Sequence, residues 1–88
     1  MHELVRATFG ALEDANLPDL VKLIRDRVFL RGPDDLLVTT VERGVCHWSF
    51  KPMVELLLRH SLELAANTQI PLQDRRIEIT ATLELAGF

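Results

Sequence analysis

The 88-residue sequence predicts a small α+β domain, on three observations. The first third carries two runs with apolar residues at helical intervals. The middle holds two short β-branched and aromatic runs, split by Glu42-Arg43-Gly44. At the C-terminus Ile77, Ile79, Ala81, Leu83 and Leu85 alternate with Glu78, Thr80, Thr82, Glu84 and Ala86. The expected order is ααββαβ over a single domain, residues 1–88. It forms a two-layer sandwich in which helices pack on a three-stranded, mainly antiparallel sheet. Strand order 2-1-3 is preferred, because an alternating last strand suits an antiparallel, half-solvated position.

Residues 3–14, ELVRATFGALED, set Val5, Phe9 and Leu12 along one side of a first helix, with Leu4 and Ala11 beside them. Asn16-Leu17-Pro18-Asp19 reads as a fresh start, with Asn16 as N-cap and Pro18 in the first turn. The second helix follows through Leu17, Leu20, Val21, Ile24 and Val28, and Arg31-Gly32-Pro33 stops it.

Asp34 and Asp35 open a loop before the strands Leu36–Val41 and Val45–Phe50. A three-residue turn ending in Gly44 places Val38 opposite Trp48, Leu36 opposite Phe50 and Thr40 opposite Cys46. A two-residue turn would flip this pairing. With the first arrangement, Cys46, Trp48 and Phe50 enter the core, and His47 shares the other face with Thr39 and Ser49. Trp48 is expected to anchor the hairpin on the next helix, where Ser61 and Ala65 leave room for the indole.

That helix runs from Pro52 to about Asn67, with Val54, Leu57, Leu58, Ser61, Leu64 and Ala65 on one side and Glu55, Arg59 and Glu63 opposite. Leu56 and Leu62 flank the charged strip. They, with Leu23 and Phe29 of the second helix, are left either for a partner or for cover by the first two helices. Asn67 to Asp74 is a connector, and the last strand follows.

Composition narrows the function classes. The formal net charge is −3, from 13 acidic and 10 basic residues, eight of the latter arginine. An acidic balance argues against nucleic-acid binding, even though Arg25, Arg27, Arg31, Arg75 and Arg76 invite the thought of a basic patch. No apolar run approaches the roughly 18 residues that span a bilayer. The N-terminus has charges where a secretory segment is apolar. A single cysteine rules out an internal disulfide framework. These features lead to an expected cytoplasmic location, with no membrane and no cofactor.

No catalytic or metal constellation stands out. Cys46 and His47 are neighbours on a strand, so their side chains point to opposite faces and cannot easily share an ion. His60 and Glu63 make a pair on one helix, which is too few for a site; His2 is remote in sequence. Cys46 reads as a small buried hydrophobe rather than a thiolate nucleophile. The four glycines are isolated, so no phosphate-cradling loop exists.

What remains is surface for another protein. The polar side of the expected edge strand, Glu78, Thr80, Thr82 and Glu84, together with Leu56, Leu62, His47, Arg75 and Arg76, forms the candidate partner-binding set. The expected function is a small acidic protein–protein interaction module, not an enzyme: an adaptor, inhibitor or regulatory accessory protein, acting as a homodimer. The alternative is a small catalytic or ligand-binding subunit with its site on the His47 face.

Overall fold

A computed structural model describes residues 3–30 and 36–88, the side chains of Phe29 and Leu30 excepted. It is an α+β fold of four helices and one two-stranded antiparallel sheet. The order is α1 Glu3–Asp14, α2 Pro18–Arg25, β1 Leu37–Glu42, β2 Val45–Phe50, α3 Pro52–Ala66 and α4 Leu72–Ala86. A single π-helical turn, Asp26–Leu30, extends α2. The expected stop at Arg31-Gly32-Pro33, the Asp34-Asp35 loop opening and His2 lie outside the described residues, as does the side chain of Phe29.

The first two helices follow their apolar periods. Leu4, Val5, Phe9 and Leu12 of α1 are buried, as are Leu20, Val21 and Ile24 of α2 and Val28 beyond it. The link between them differs from the expected N-cap. Asn16 has a left-handed φ of 60°, and Leu17 occupies the cap position of α2 without a side-chain bond. Asn16 N–H donates to the Glu13 carbonyl at 3.0 Å and Leu17 N–H to the Leu12 carbonyl at 2.8 Å. This is a Schellman ending, in which Asn supplies the left-handed residue and Leu17 folds back on Leu12. Both leucines are fully buried. Asn16 therefore closes α1, and Pro18 at the first helical position starts α2.

The strongest departure is at the C-terminus. Leu72–Ala86, expected to hold a third strand, is helix α4. The three-stranded sheet and its 2-1-3 order are replaced by a two-stranded hairpin, and the sandwich by packed helices. An alternating sequence can satisfy a helix when every second apolar residue also falls at helical spacing. Ile79, Leu83 and Ala86 do so at i, i+4 and i+7, and all three are buried. Both ends of α4 carry helix chemistry. Asp74 lies in the first turn. Gly87 takes φ 105° and donates to the Glu84 carbonyl at 3.1 Å, while Phe88 N–H donates to the Leu83 carbonyl at 2.9 Å. That is a second Schellman ending, with half-buried Phe88 packed against the core. Tertiary burial of the Ile79–Leu83–Ala86 stripe overrides the β preference of Ile and Thr.

The helices α1, α3 and α4 supply much of the core with α2. Val54, Leu58, Ser61, Leu64 and Ala65 are buried along α3, as the period predicts. Two side-chain contacts tie α4 to the α2 limb: Arg76 pairs with Asp19, and Arg27 Nε donates to the Gly87 carbonyl at 3.2 Å. Because Asp19 precedes Arg27 as Arg76 precedes Gly87, α2 with its π turn and α4 run in the same direction.

The hairpin turn has two residues. Arg43 at φ 52° and Gly44 at φ 77° both adopt positive φ, as a type I′ turn requires. The three-residue turn and its cross-strand pairs are accordingly corrected. The register is Leu37 with Phe50, Val38 with Ser49, Thr39 with Trp48, Thr40 with His47, Val41 with Cys46 and Glu42 with Val45. Leu37, Thr39 and Val41 thus share a face with Cys46, Trp48 and Phe50.

Candidate interaction surfaces

The hairpin is the first surface. Only its base enters the core, through buried Leu36 and Phe50 and half-buried Leu37. Every residue from Val38 to Ser49 is exposed, on both faces of the sheet. The reason is topological: among the described residues the sheet has these two strands and no third beside either. Trp48 is 37% exposed and meets Phe50 edge-to-face, with ring centroids 5.5 Å apart. The expected burial of Cys46 and Trp48 is corrected by this placement, since Cys46 is an exposed thiol. Ser61 and Ala65 are buried in the helical core rather than beneath an enclosed indole. Ser61 Oγ donates to the Leu57 carbonyl on its own helix at 3.0 Å.

Main-chain geometry defines the edges of this hairpin. In a two-residue turn the flanking pair, Glu42 and Val45, exchanges hydrogen bonds, and the alternation continues through Thr40–His47 and Val38–Ser49. The Lys51 N–H donating to the Leu36 carbonyl at 2.9 Å keeps the same parity. The main-chain groups of Leu37, Thr39 and Val41 therefore face outward along β1. Residues Leu37–Val41 contain no charge and no proline to guard that edge.

The second surface is the outer side of α4. Ile77, Ala81 and Leu85 lie at i, i+4 and i+8, on the side away from Ile79, Leu83 and Ala86. Ile77 is 60% and Leu85 76% exposed. Exposed Asp74, Glu78 and Glu84 border the strip. At its N-terminal end Ile70, Asp74, Ile77 and Glu78 line a shallow groove of about 260 Å³. The helix divides the four polar residues expected on one strand face. Glu78 and Thr82 fall on one flank, where Thr82 Oγ1 donates to the Glu78 carbonyl at 2.8 Å. Thr80 and Glu84 fall on the other.

The remaining sequence candidates separate. Leu56 is exposed and lies with Met53 and His60 at i−3 and i+4 along the outside of α3. Leu62 is half-buried against the core and lines a depression with Glu3, Arg6, Ala7 and Arg59 where α1 meets α3. His47 stands exposed on the hairpin opposite Thr40, far in sequence from the other histidines. Arg75 is engaged within the chain: its Nη1 donates to the Ala65 carbonyl at 2.9 Å and its Nε to the Ile70 carbonyl at 3.0 Å. Arg76 is held by Asp19. Among the described residues, no three His, Cys, Asp or Glu side chains converge where an ion would be held. Also among the described residues, no helix is long and apolar enough to cross a membrane.

Sequence reasoning missed Ile77, Leu85 and Val38 as exposed apolar residues. An alternating strand sets Ile77 and Leu85 on one apolar side with Ile79 and Leu83. The caps at Pro71-Leu72 and Gly87-Phe88 were the signal that would have turned them outward. Compared with protein-family models, curated proteins and solved structures, the chain matches none.

Proposed function

We propose that the chain is a small acidic protein–protein interaction module, an adaptor, inhibitor or regulatory accessory protein, that works as a homodimer. The observation supporting this reading is the hairpin standing clear of the helices with Val38, Val41 and Val45 in solvent. An isolated two-stranded ribbon is marginal in water, and a third and fourth strand stabilise it. A second copy supplies them by antiparallel pairing of β1 with β1 across a two-fold axis, which requires one self-complementary edge. The uncharged run Leu37–Val41 sets no like charges opposite each other in that pairing.

Sedimentation velocity tests this. The wild-type chain is expected to sediment as a dimer at tens of micromolar. Thr39→Pro removes one outward N–H while leaving the inward ladder of Thr40 and Val38 intact. It is expected to give a monomer with an unchanged helical circular dichroism signal. A wild-type monomer, or a dimer indifferent to this substitution, would overturn the pairing.

A further inference from the structure

We propose that the outer face of α4 docks a basic amphipathic helix of a different protein. This rests on the interaction-module reading and names the chemistry of one partner. Ile77, Ala81 and Leu85 form a ridge spaced by four residues, with the small Ala81 between two larger side chains. Such a ridge accepts the i±4 groove of another helix, and the alanine permits close approach at the crossing. Exposed apolar residues aligned on one side of a helix, Ile77 at 60% and Leu85 at 76%, are the pattern read by helix-in-groove partners.

Charge chooses the partner. Asp74, Glu78 and Glu84 border the ridge and are exposed. The nearby arginines are withdrawn: Arg75 lies against the carbonyls of Ala65 and Ile70, and Arg76 against Asp19. At one end the groove of Ile70, Asp74, Ile77 and Glu78 joins two isoleucines to two carboxylates. That combination suits a lysine or arginine, whose methylene stem lies on apolar surface while its head reaches the carboxylates. A second copy of this chain fits poorly. Its own α4 face brings further carboxylates, Asp74, Glu78 and Glu84, and no cation to meet them. Nucleic acid and anionic lipid meet the same repulsion from their phosphates.

The test uses a synthetic leucine–lysine peptide of about 14 residues, leucines on one helical face and lysines flanking them. Its scrambled isomer and a leucine–glutamate analogue are the controls. Titration by fluorescence anisotropy is expected to give micromolar binding of the lysine peptide to the wild type, weakening as salt rises. Asp74→Lys with Glu78→Lys is expected to weaken it at least about tenfold and to gain binding of the glutamate analogue. Leu85→Lys should abolish lysine-peptide binding while the helical signal persists. The double variant is expected to retain the wild-type sedimentation, since β1 is untouched. Equal binding of the scrambled isomer, no binding at all, or indifference to charge reversal would overturn the inference. So would a dimer lost in Leu85→Lys but kept in Thr39→Pro, because α4 would then join copies of this chain. Loss of the β1 dimer alone strikes the homodimer reading and leaves this one standing.

Discussion

The Arg75 guanidinium reaches back ten residues to the Ala65 carbonyl at 2.9 Å. The same group also holds the Ile70 carbonyl, so one side chain closes the last turn of α3 and pins the connector to α4. Carbonyls at a helix C-terminus have no intrahelical partner, and a cation there also meets the negative end of the helix dipole.

Removing that side chain should loosen the α3–α4 corner. Arg75→Ala is expected to lower unfolding free energy by about 1–3 kcal/mol, the range for hydrogen bonds from a charged group. Arg75→Lys should recover only part, because an ammonium lacks the fork that serves two carbonyls at once. Urea denaturation followed by circular dichroism reads both.

The helical assignment of the C-terminal segment makes its own prediction. In a strand, Ile77, Ile79, Leu83 and Leu85 share one face, and all four substitutions would be costly. In α4, Ile79→Ala and Leu83→Ala should each cost about 2–5 kcal/mol. Ile77→Ser and Leu85→Ser should stay within about 0.5 kcal/mol. Thermal melts of the four variants separate the two patterns.

At the hairpin tip, Arg43 holds a positive φ that a side chain with a Cβ disfavours. Arg43→Asn should slow amide exchange at Thr40 and His47 and stabilise the ribbon by up to about 1 kcal/mol. Gly44→Ala should do the opposite. A Cβ there meets nothing within 4 Å, so the whole effect comes from the backbone at φ 77°.

Ser61 is fully buried and bonded to its own helix. Ser61→Leu is expected to cost about 1–3 kcal/mol by overpacking the helical core. Ser61→Ala removes only a local back-bond and should change stability by less than about 1 kcal/mol. Calorimetry on the pair checks this; a leucine accepted without loss would mean the site has spare volume.

Much of the helical half was legible because its signals are redundant. In α1, α2 and α3 the apolar period marks the helix, α2 and α3 add a proline at the first position, and Val5, Leu12, Ile24, Leu58 and Ala65 are buried as the periods require. The hairpin strands were legible from their β-branched content. Their register was not: Arg43-Gly44 and Glu42-Arg43-Gly44 are both workable turns, and one residue decides which face each side chain takes. The segment after Asp74 misled because its alternation and its helical stripe coexist, and only packing against the other helices selects between them. The candidate surfaces inherit that error. Glu78, Thr80, Thr82 and Glu84 do not share a face, whereas Ile77 and Leu85, which the alternation sets beside Ile79 and Leu83, are among the most exposed apolar residues described.

The double periodicity of Ile77–Leu85 has a consequence beyond the native state. Once the helices part, this segment has alternating β-formers, no proline and only Glu78 and Glu84 for charge. Such a stretch is competent to stack into cross-β fibrils, and protonating its two glutamates removes the electrostatic guard. Native packing of Ile79 and Leu83 is therefore also a safeguard. Acid-unfolded chain is expected to raise thioflavin fluorescence, and Thr80→Pro, which interrupts the repeat, is expected to keep the same unfolded chain clear.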